Sequence, residues 1–257
     1  MPILTVKNII CGYGGEDVIK DVSFTLERGE ILALAGENGC GKTTLLRAVC
    51  GLIPVRSGGA YIDGKLISDI PLKERACRIA LLSQTGAGGD YSEYTVMDTV
   101  LMGRYARQRH SGIFSEVSPE DKSAAEKYIA ETGLQGLENR LITELSGGQL
   151  QRVFLARAFA QEPDVIFLDE PANHLDLKMQ ISLAEHLRKW VSEGRSAVGV
   201  FHDLGFAAAV SDRIMLINDG KAVLCGKVKE ILQSEELNEV FSTDVRAYMR
   251  KIADIWK

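Results

Sequence analysis

The stretch GENGCGKTT, Gly36–Thr44, follows directly on a short apolar run, ILALA, at residues 31–35. It fits the spacing G-x-x-x-x-G-K-[ST]. The apolar run predicts a buried strand that leads into the glycine loop at Gly36. The residues after the loop predict a helix from Lys42 to about Cys50, with Leu45, Leu46 and Val49 on its inner face. Strand, loop and helix in that order make a phosphate grip. Gly36, Glu37, Asn38, Gly39, Cys40 and Gly41 can turn backbone N–H groups inward around an anion. Lys42 supplies a cation for the outer phosphates, and Thr43, with Thr44 behind it, supplies a hydroxyl for Mg²⁺. The helix start adds its partial positive charge. Cys40 stands inside the loop, and two readings of it stay open. It is a small side chain tolerated for size, or it is a thiol favoured as thiolate by the helix N-terminus and Lys42.

Around this loop the composition is that of an ordinary globular chain. Of 257 residues, 46% are hydrophobic, enough to bury one large core or two small ones. The formal net charge is −5, so a partner held by phosphate neutralisation is disfavoured and no nucleic acid is expected. No apolar run approaches the roughly eighteen residues needed to span a bilayer. The start, MPILTVKNIICGYGG, lacks the basic residues and long apolar core of a secretory signal. Cys11, Cys40, Cys50, Cys77 and Cys225 are odd in number and form no CxxC pair, which fits a reducing compartment. His110, His174, His186 and His202 show no metal-ligand spacing.

Strands are predicted at ILTVKNI and at VIKDVSFTLE, where Val22, Phe24 and Leu26 alternate. Further strands are predicted at AYIDG, RIALLS, VIFLD, SAVGVF, RIMLIN and AVLCG. The middle of the chain reads as helical. TVMDTVLMGRYAR has helical spacing, and SPEDKSAAEKYIAETG opens on a Ser118 cap with Pro119 in its first turn and closes at Gly133. KVKEILQSEELNEVF reads as two short helices. Strands alternating with helices predict an α/β fold with a largely parallel sheet. The block from about Tyr94 to Ala160 reads as an inserted helical subdomain. That leaves residues 1–93 and 161–257 for a nucleotide-binding core with a β subdomain.

VIFLDE, residues 165–170, is a buried strand ending in two carboxylates. Asp169 can enter a Mg²⁺ shell, and Glu170 can polarise a water for attack on a phosphate. ELSGGQLQR, residues 144–152, places Ser146, Gly147 and Gly148 before an apolar-periodic helix. That is a second helix start with bare backbone donors, hence a second anion site, or else a plain cap with two loop glycines.

LSGGQ upstream of VIFLDE, with a phosphate loop before both, resembles an ATP-binding cassette (ABC) ATPase subunit over essentially the whole chain. The resemblance implies a P-loop NTPase core with a mainly parallel sheet, an N-terminal antiparallel β subdomain and a helical subdomain carrying the signature motif. It implies ATP and Mg²⁺ as ligands. It implies that Leu145–Gln149, with Ser146, Gly147, Gly148 and Gln149 at its centre, closes on ATP held by a second copy in a head-to-tail dimer. Tyr13, in CGYGG, matches the aromatic that stacks on adenine; a turn aromatic is its plain alternative. Gln84 matches the glutamine that senses Mg²⁺ and the attacking water, with Ser83 where a proline is usual. PANHLD, ending at Asp176, matches the loop that touches the partner subunit, with Ala172 replacing a common threonine or serine. His202, in FHD, matches the histidine that orients the γ-phosphate, and Glu170 matches the base.

In this family a chain without membrane segments works through separate integral permease subunits, and so lies on the cytoplasmic face of the inner membrane. The contact surface would be TGAGGDYSEYTVMDTVLMGRYARQRH, with Tyr91, Tyr94, Tyr105 and its arginines. VLMGRYAR, PEDKSAAEKYIAETGL and PANHLDLKMQ are similar to importers of iron–siderophore complexes, haem and cobalamin, which receive cargo from an extracytoplasmic binding protein. Zinc, manganese and molybdate importers look close, and a non-transport ABC ATPase is the remaining alternative.

Overall fold

The computed structural model describes residues 1–83, 93–108, 117–173 and 175–255. The chain divides into two compact units, Met1–Asp69 with Val198–Lys257, and Ile70–Ala197. The first unit opens with β1 (Leu4–Tyr13), β2 (Glu16–Leu26), β3 (Ile31–Ala35), α1 (Lys42–Val49), β4 (Val55–Ile62) and β5 (Lys65–Leu66). The second contains α2 (Leu72–Arg78), β6 (Ile79–Leu82), α3 (Val96–Leu101), a 3₁₀ helix (Met102–Arg107) and α4 (Pro119–Glu131). It continues with α5 (Gly147–Ala160), β7 (Val165–Asp169) and α6 (Leu177–Ser192). β8 (Ser196–Val200) falls at the division. The first unit then resumes with α7 (Leu204–Val210), β9 (Arg213–Asn218), β10 (Lys221–Lys227), α8 (Val228–Gln233), α9 (Glu236–Val240) and α10 (Val245–Ile255).

In the first unit an antiparallel sheet runs in the order β2-β1-β4-β5. Leu4 pairs with Leu26 on one side and with Ile62 on the other, so the apolar alternation of β1 sets one buried face. The same unit pairs β3 with β9 in parallel, Ala33 opposite Ile214, and adds β10 antiparallel to β9. All five residues of β3 are buried. A continuous apolar run without alternation is what a strand covered on both faces requires. That strand delivers the chain into the glycine loop.

In the second unit β6 and β7 pair in parallel, Ile79 opposite Val165. α4 starts where the sequence predicts. The Ser118 hydroxyl accepts from the Asp121 amide at 3.1 Å, and Pro119 occupies the first turn. Tyr128, Phe159, His186 and Trp190 pack their rings together, with Phe159 and His186 centroids 4.2 Å apart. The segment predicted as one helix at TVMDTVLMGRYAR tightens to 3₁₀ at Met102. Here Arg104 and Arg107 turn towards the end of α5. Arg104 Nη1 donates to Ala160 O at 2.8 Å, and Arg107 Nε donates to Gln161 O at 2.9 Å. α2, α7, α10 and the short β5 are additions to the predicted elements. No helix among the described residues is long and apolar enough to cross a membrane.

Candidate active site

The first unit carries the phosphate loop. A Cβ on Gly36 would lie 2.1 Å from Ile217 O and 2.9 Å from Cys40 Sγ, so only glycine lets the chain leave β3 this close to β9. Gly41 caps α1 in the left-handed conformation at φ 104°. The amides of Lys42, Thr43 and Thr44 open the helix, where no intrahelical acceptor exists for them. No acidic residue stands in that first turn. Lys42 Nζ donates to the carbonyls of Gly36 and Glu37, each at 2.8 Å, and lies 3.6 Å from Cys40 Sγ. The loop thus holds its own cation over its backbone. Glu37, Asn38 and Gly39 are exposed, while Cys40 is 8% exposed.

Tyr13 ends β1 with 48% of its surface open, which leaves a ring face available to a flat ligand. His202 is exposed just beyond β8, next to the buried Phe201. Its neighbour Asp203 has a separate task. The Asp203 carboxylate accepts from the Phe206 amide at 2.8 Å and so caps α7.

The second unit carries the carboxylates and the second helix start. β7 is buried throughout, and Asp169 at its end is 1% exposed. Glu170 has φ 54°. A left-handed conformation costs a non-glycine residue about 1–3 kcal/mol and breaks the strand alternation, so adjacent carboxylates leave the strand differently. Asn173 holds the turn. Its amide N–H donates to Glu170 O at 3.3 Å, and its Nδ2 donates to the Glu170 carboxylate.

α5 begins at Gly147, so both glycines of the SGG run lie inside its first turn rather than before it. The Ser146 hydroxyl accepts from the Gln149 amide at 3.3 Å, and Gln149 Oε1 accepts from the Ser146 amide at 2.9 Å. This capping box uses the backbone donors of Ser146 and Gln149, and those of Gly147 and Gly148 stand in the first turn, where the helix itself offers no acceptor. Asp176 caps α6 through the Met179 amide at 2.8 Å. Gln84, Tyr91, His110 and His174 lie outside the described residues.

The structure therefore groups Tyr13, the Gly36–Thr44 loop and His202 in one unit, and Ser146–Gln149, Asp169, Glu170 and Asp176 in the other. Sequence reasoning missed Asn173. Its only signal is its place three residues after Glu170, and nothing in its spacing distinguishes it from a loop asparagine.

Residues 19–173 match the protein family described as ABC transporter. Two similar proteins come from Bacillus subtilis (strain 168). An uncharacterised ABC transporter ATP-binding protein, YvrA, is 38% identical over 93% of this chain, which spans only 54% of that protein. The petrobactin import ATP-binding protein YclP is 34% identical over 95% of this chain and 94% of its own length. Among solved structures, an inward-facing ABC transporter assigned to the metal-chelate type aligns with TM-score 0.78 and 30% identity, covering 94% of this chain and 90% of that one.

Proposed function

Because the chain belongs to the ABC transporter family and is one of its ATP-binding, ATP-hydrolysing domains, we propose that it powers an importer of a metal chelate such as an iron–siderophore complex, haem or cobalamin. Likeness to the petrobactin import protein along nearly the full length of both chains carries this reading.

The proposed chemistry is phosphoryl transfer to water, which needs positioning and charge neutralisation more than covalent catalysis. The Gly36–Gly41 amides and Lys42 hold the outer phosphates, and Tyr13 stacks on the base. The donor set suits Mg²⁺, which takes hard oxygen ligands: the Thr43 hydroxyl, the buried Asp169 carboxylate and the Gln84 side chain would hold it. When bound, Mg²⁺ neutralises charge on the phosphates. Glu170 takes the proton of the attacking water, and His202 orients the γ-phosphate. Ser146, Gly147, Gly148 and Gln149 act on ATP held by a second copy in a head-to-tail dimer, and Asp176 lies in the loop that meets that copy. Two helix starts without an acidic residue in the first turn, at α1 and α5, support this division of labour.

Integral membrane permease subunits, fed by an extracytoplasmic binding protein, would turn closure of the dimer into transport, with this chain on the cytoplasmic face of the membrane. Only a difference in ATP affinity between open and closed states can do that work. Co-purification with membrane subunits tests the transport role. Stimulation of the reconstituted complex by a ferric siderophore, haem or cobalamin supports the substrate class. Stimulation by Zn²⁺, Mn²⁺ or molybdate alone overturns it.

A further inference from the structure

The motif ELSGGQLQR ends in two polar side chains that the proposed chemistry does not use, Gln151 and Arg152. Both lie one turn into α5, and both are half-buried. Arg152 fastens α5 to the end of α4, with Nη1 donating to Gly133 O at 2.8 Å and to Thr132 O at 3.3 Å. Gln151 faces the other way. Its Nε2 donates to Pro171 O at 3.4 Å.

Pro171 is the residue after Glu170. It is buried and has no N–H to anchor its own backbone, so its carbonyl is the group through which a neighbour can hold it. Glu170 needs such support, because its left-handed φ of 54° is a conformation that the chain does not keep unaided. Asn173 braces the turn from the loop side, through the Glu170 carbonyl and carboxylate. Gln151 braces it from the helix side. The helix that braces the turn is the one whose first turn presents Ser146, Gly147 and Gly148.

We propose that Gln151 is a positioning residue for hydrolysis: its side-chain amide ties the Glu170–Pro171 turn to the signature helix and keeps the Glu170 carboxylate aimed for proton abstraction. This rests on the reading of Glu170 as the base. A side chain that aims the base without touching nucleotide affects turnover and leaves ATP binding alone. Misplacement of a reacting group by about 1 Å costs on the order of a hundredfold, so loosening one of two braces costs about tenfold.

The test uses the purified full-length protein with Mg²⁺-ATP. Gln151→Met keeps the length and helix propensity of the side chain and removes its donor. It lowers kcat about tenfold while KM for ATP and the thermal midpoint stay at wild-type values. Gln151→Glu supplies a donor only when its carboxyl is protonated. The ratio of its kcat to that of wild type therefore rises as pH falls towards 5, whereas the ratio for Gln151→Met stays flat. A kcat within twofold of wild type for Gln151→Met overturns the proposal. So does a loss of kcat that tracks a fall in thermal midpoint, or a flat ratio for Gln151→Glu. Glu170→Gln serves as the control. If it hydrolyses ATP at the normal rate, the base assignment has failed. If it is inactive while Gln151→Met is normal, only the positioning role has failed.

Discussion

The amide of Gly220 donates to the carbonyl oxygen of Cys40 across 3.1 Å, and the carbonyl of Gly220 accepts from the Lys20 amide at 2.8 Å. The β9–β10 turn is thereby stitched to the phosphate loop on one side and to β2 on the other. Gly220 has φ 74°, and a Cβ there would lie 2.0 Å from Val18 O. Gly220→Ala should cost about 2–4 kcal/mol, combining a left-handed alanine with displaced backbone. ATP affinity should fall with it, because the Cys40 carbonyl loses its tether. Denaturant unfolding and nucleotide titration measure the two effects. Wild-type values in both would show that the turn does not support the loop.

Glu170→Gln keeps the size of the side chain and removes its basicity. The variant should bind ATP normally, turn over about 10²–10⁴-fold more slowly, and accumulate as an ATP-bound dimer. Sizing chromatography with and without Mg²⁺-ATP, beside a phosphate-release assay, reads all three. A normal rate would remove Glu170 from the role of base.

Cys40 presents its backbone to the loop and keeps its thiol inward, 3.6 Å from Lys42 Nζ. If backbone amides do the binding, Cys40→Ser should hold ATP within about twofold of wild type, since a small side chain replaces a small one. An alkyl group on the sulfur has no such room, because the sulfur already sits where a Cβ on Gly36 would approach to 2.9 Å. Iodoacetamide should therefore block ATP binding in wild type, bound ATP should protect, and Cys40→Ser should resist. Inactivation of Cys40→Ser at the wild-type rate would point to another thiol.

His186 is held below its ordinary pKa of 6.5, first by burial, with Lys189 and Lys127 adding to the effect and Glu131 and Glu193 opposing it. Glu131 lies 3.5 Å from Nδ1, while Nε2 is buried without a hydrogen-bond partner among the described residues. The unfolded chain thus takes up a proton near pH 6.5 before the folded chain does. The stability that His186 contributes as a neutral ring is present above pH 6.5 and is lost as pH falls towards the depressed folded value. Unfolding midpoints measured from pH 7.5 to 5 should show a slope that His186→Phe flattens. An unchanged slope would mean that other groups set it.

Much of the site is legible because its motifs are short and contiguous. GENGCGKTT, ELSGGQLQR and VIFLDE each carry their geometry within a few residues, so a cap, a loop or a strand end could be read locally. The β1–β2 alternation and the uninterrupted β3 run likewise announce one covered face and two. What escaped reading depends on residues far apart in the chain. Gln151 meets Pro171 twenty positions on, and His186 meets Glu131 from another helix. α10 escaped for a different reason. Its apolar residues Val245, Tyr248, Met249, Ile252 and Ile255 do recur at helical spacing, yet the structure buries none of them, so the stripe marks a helix without marking a core. The positive φ of Glu170 has no signature either, since glutamate does not favour it.

Arg104 shows how such a long-range group can be decisive for stability. It is 8% exposed, and its Nε donates to Asp121 at 2.9 Å while Nη1 donates to Glu162 at 2.8 Å. Burial alone would push the Glu162 carboxyl up, but the hydrogen bond and charge of Arg104, with Arg107 and Arg195 further off, pull it below the usual 4.5. Glu162 also has φ 49° and takes part through its carbonyl, which accepts from Arg107 Nη2 at 2.6 Å. Removing the guanidinium leaves Asp121 and Glu162 facing each other's charge in a half-dry site. Arg104→Met should therefore cost about 3–5 kcal/mol at pH 7, the usual penalty for orphaning a buried ion pair. The sign of the pH effect follows from the depressed carboxylate. Wild type holds this contribution above pH 4.5 and loses it as pH falls through the lower folded value. The deficit of Arg104→Met should accordingly shrink in acid, because the Glu162 carboxyl, no longer held down by the guanidinium, neutralises earlier. Denaturant melts of both proteins at pH 7 and pH 4 measure the difference, and a deficit equal at both would place the energy in packing rather than in charge.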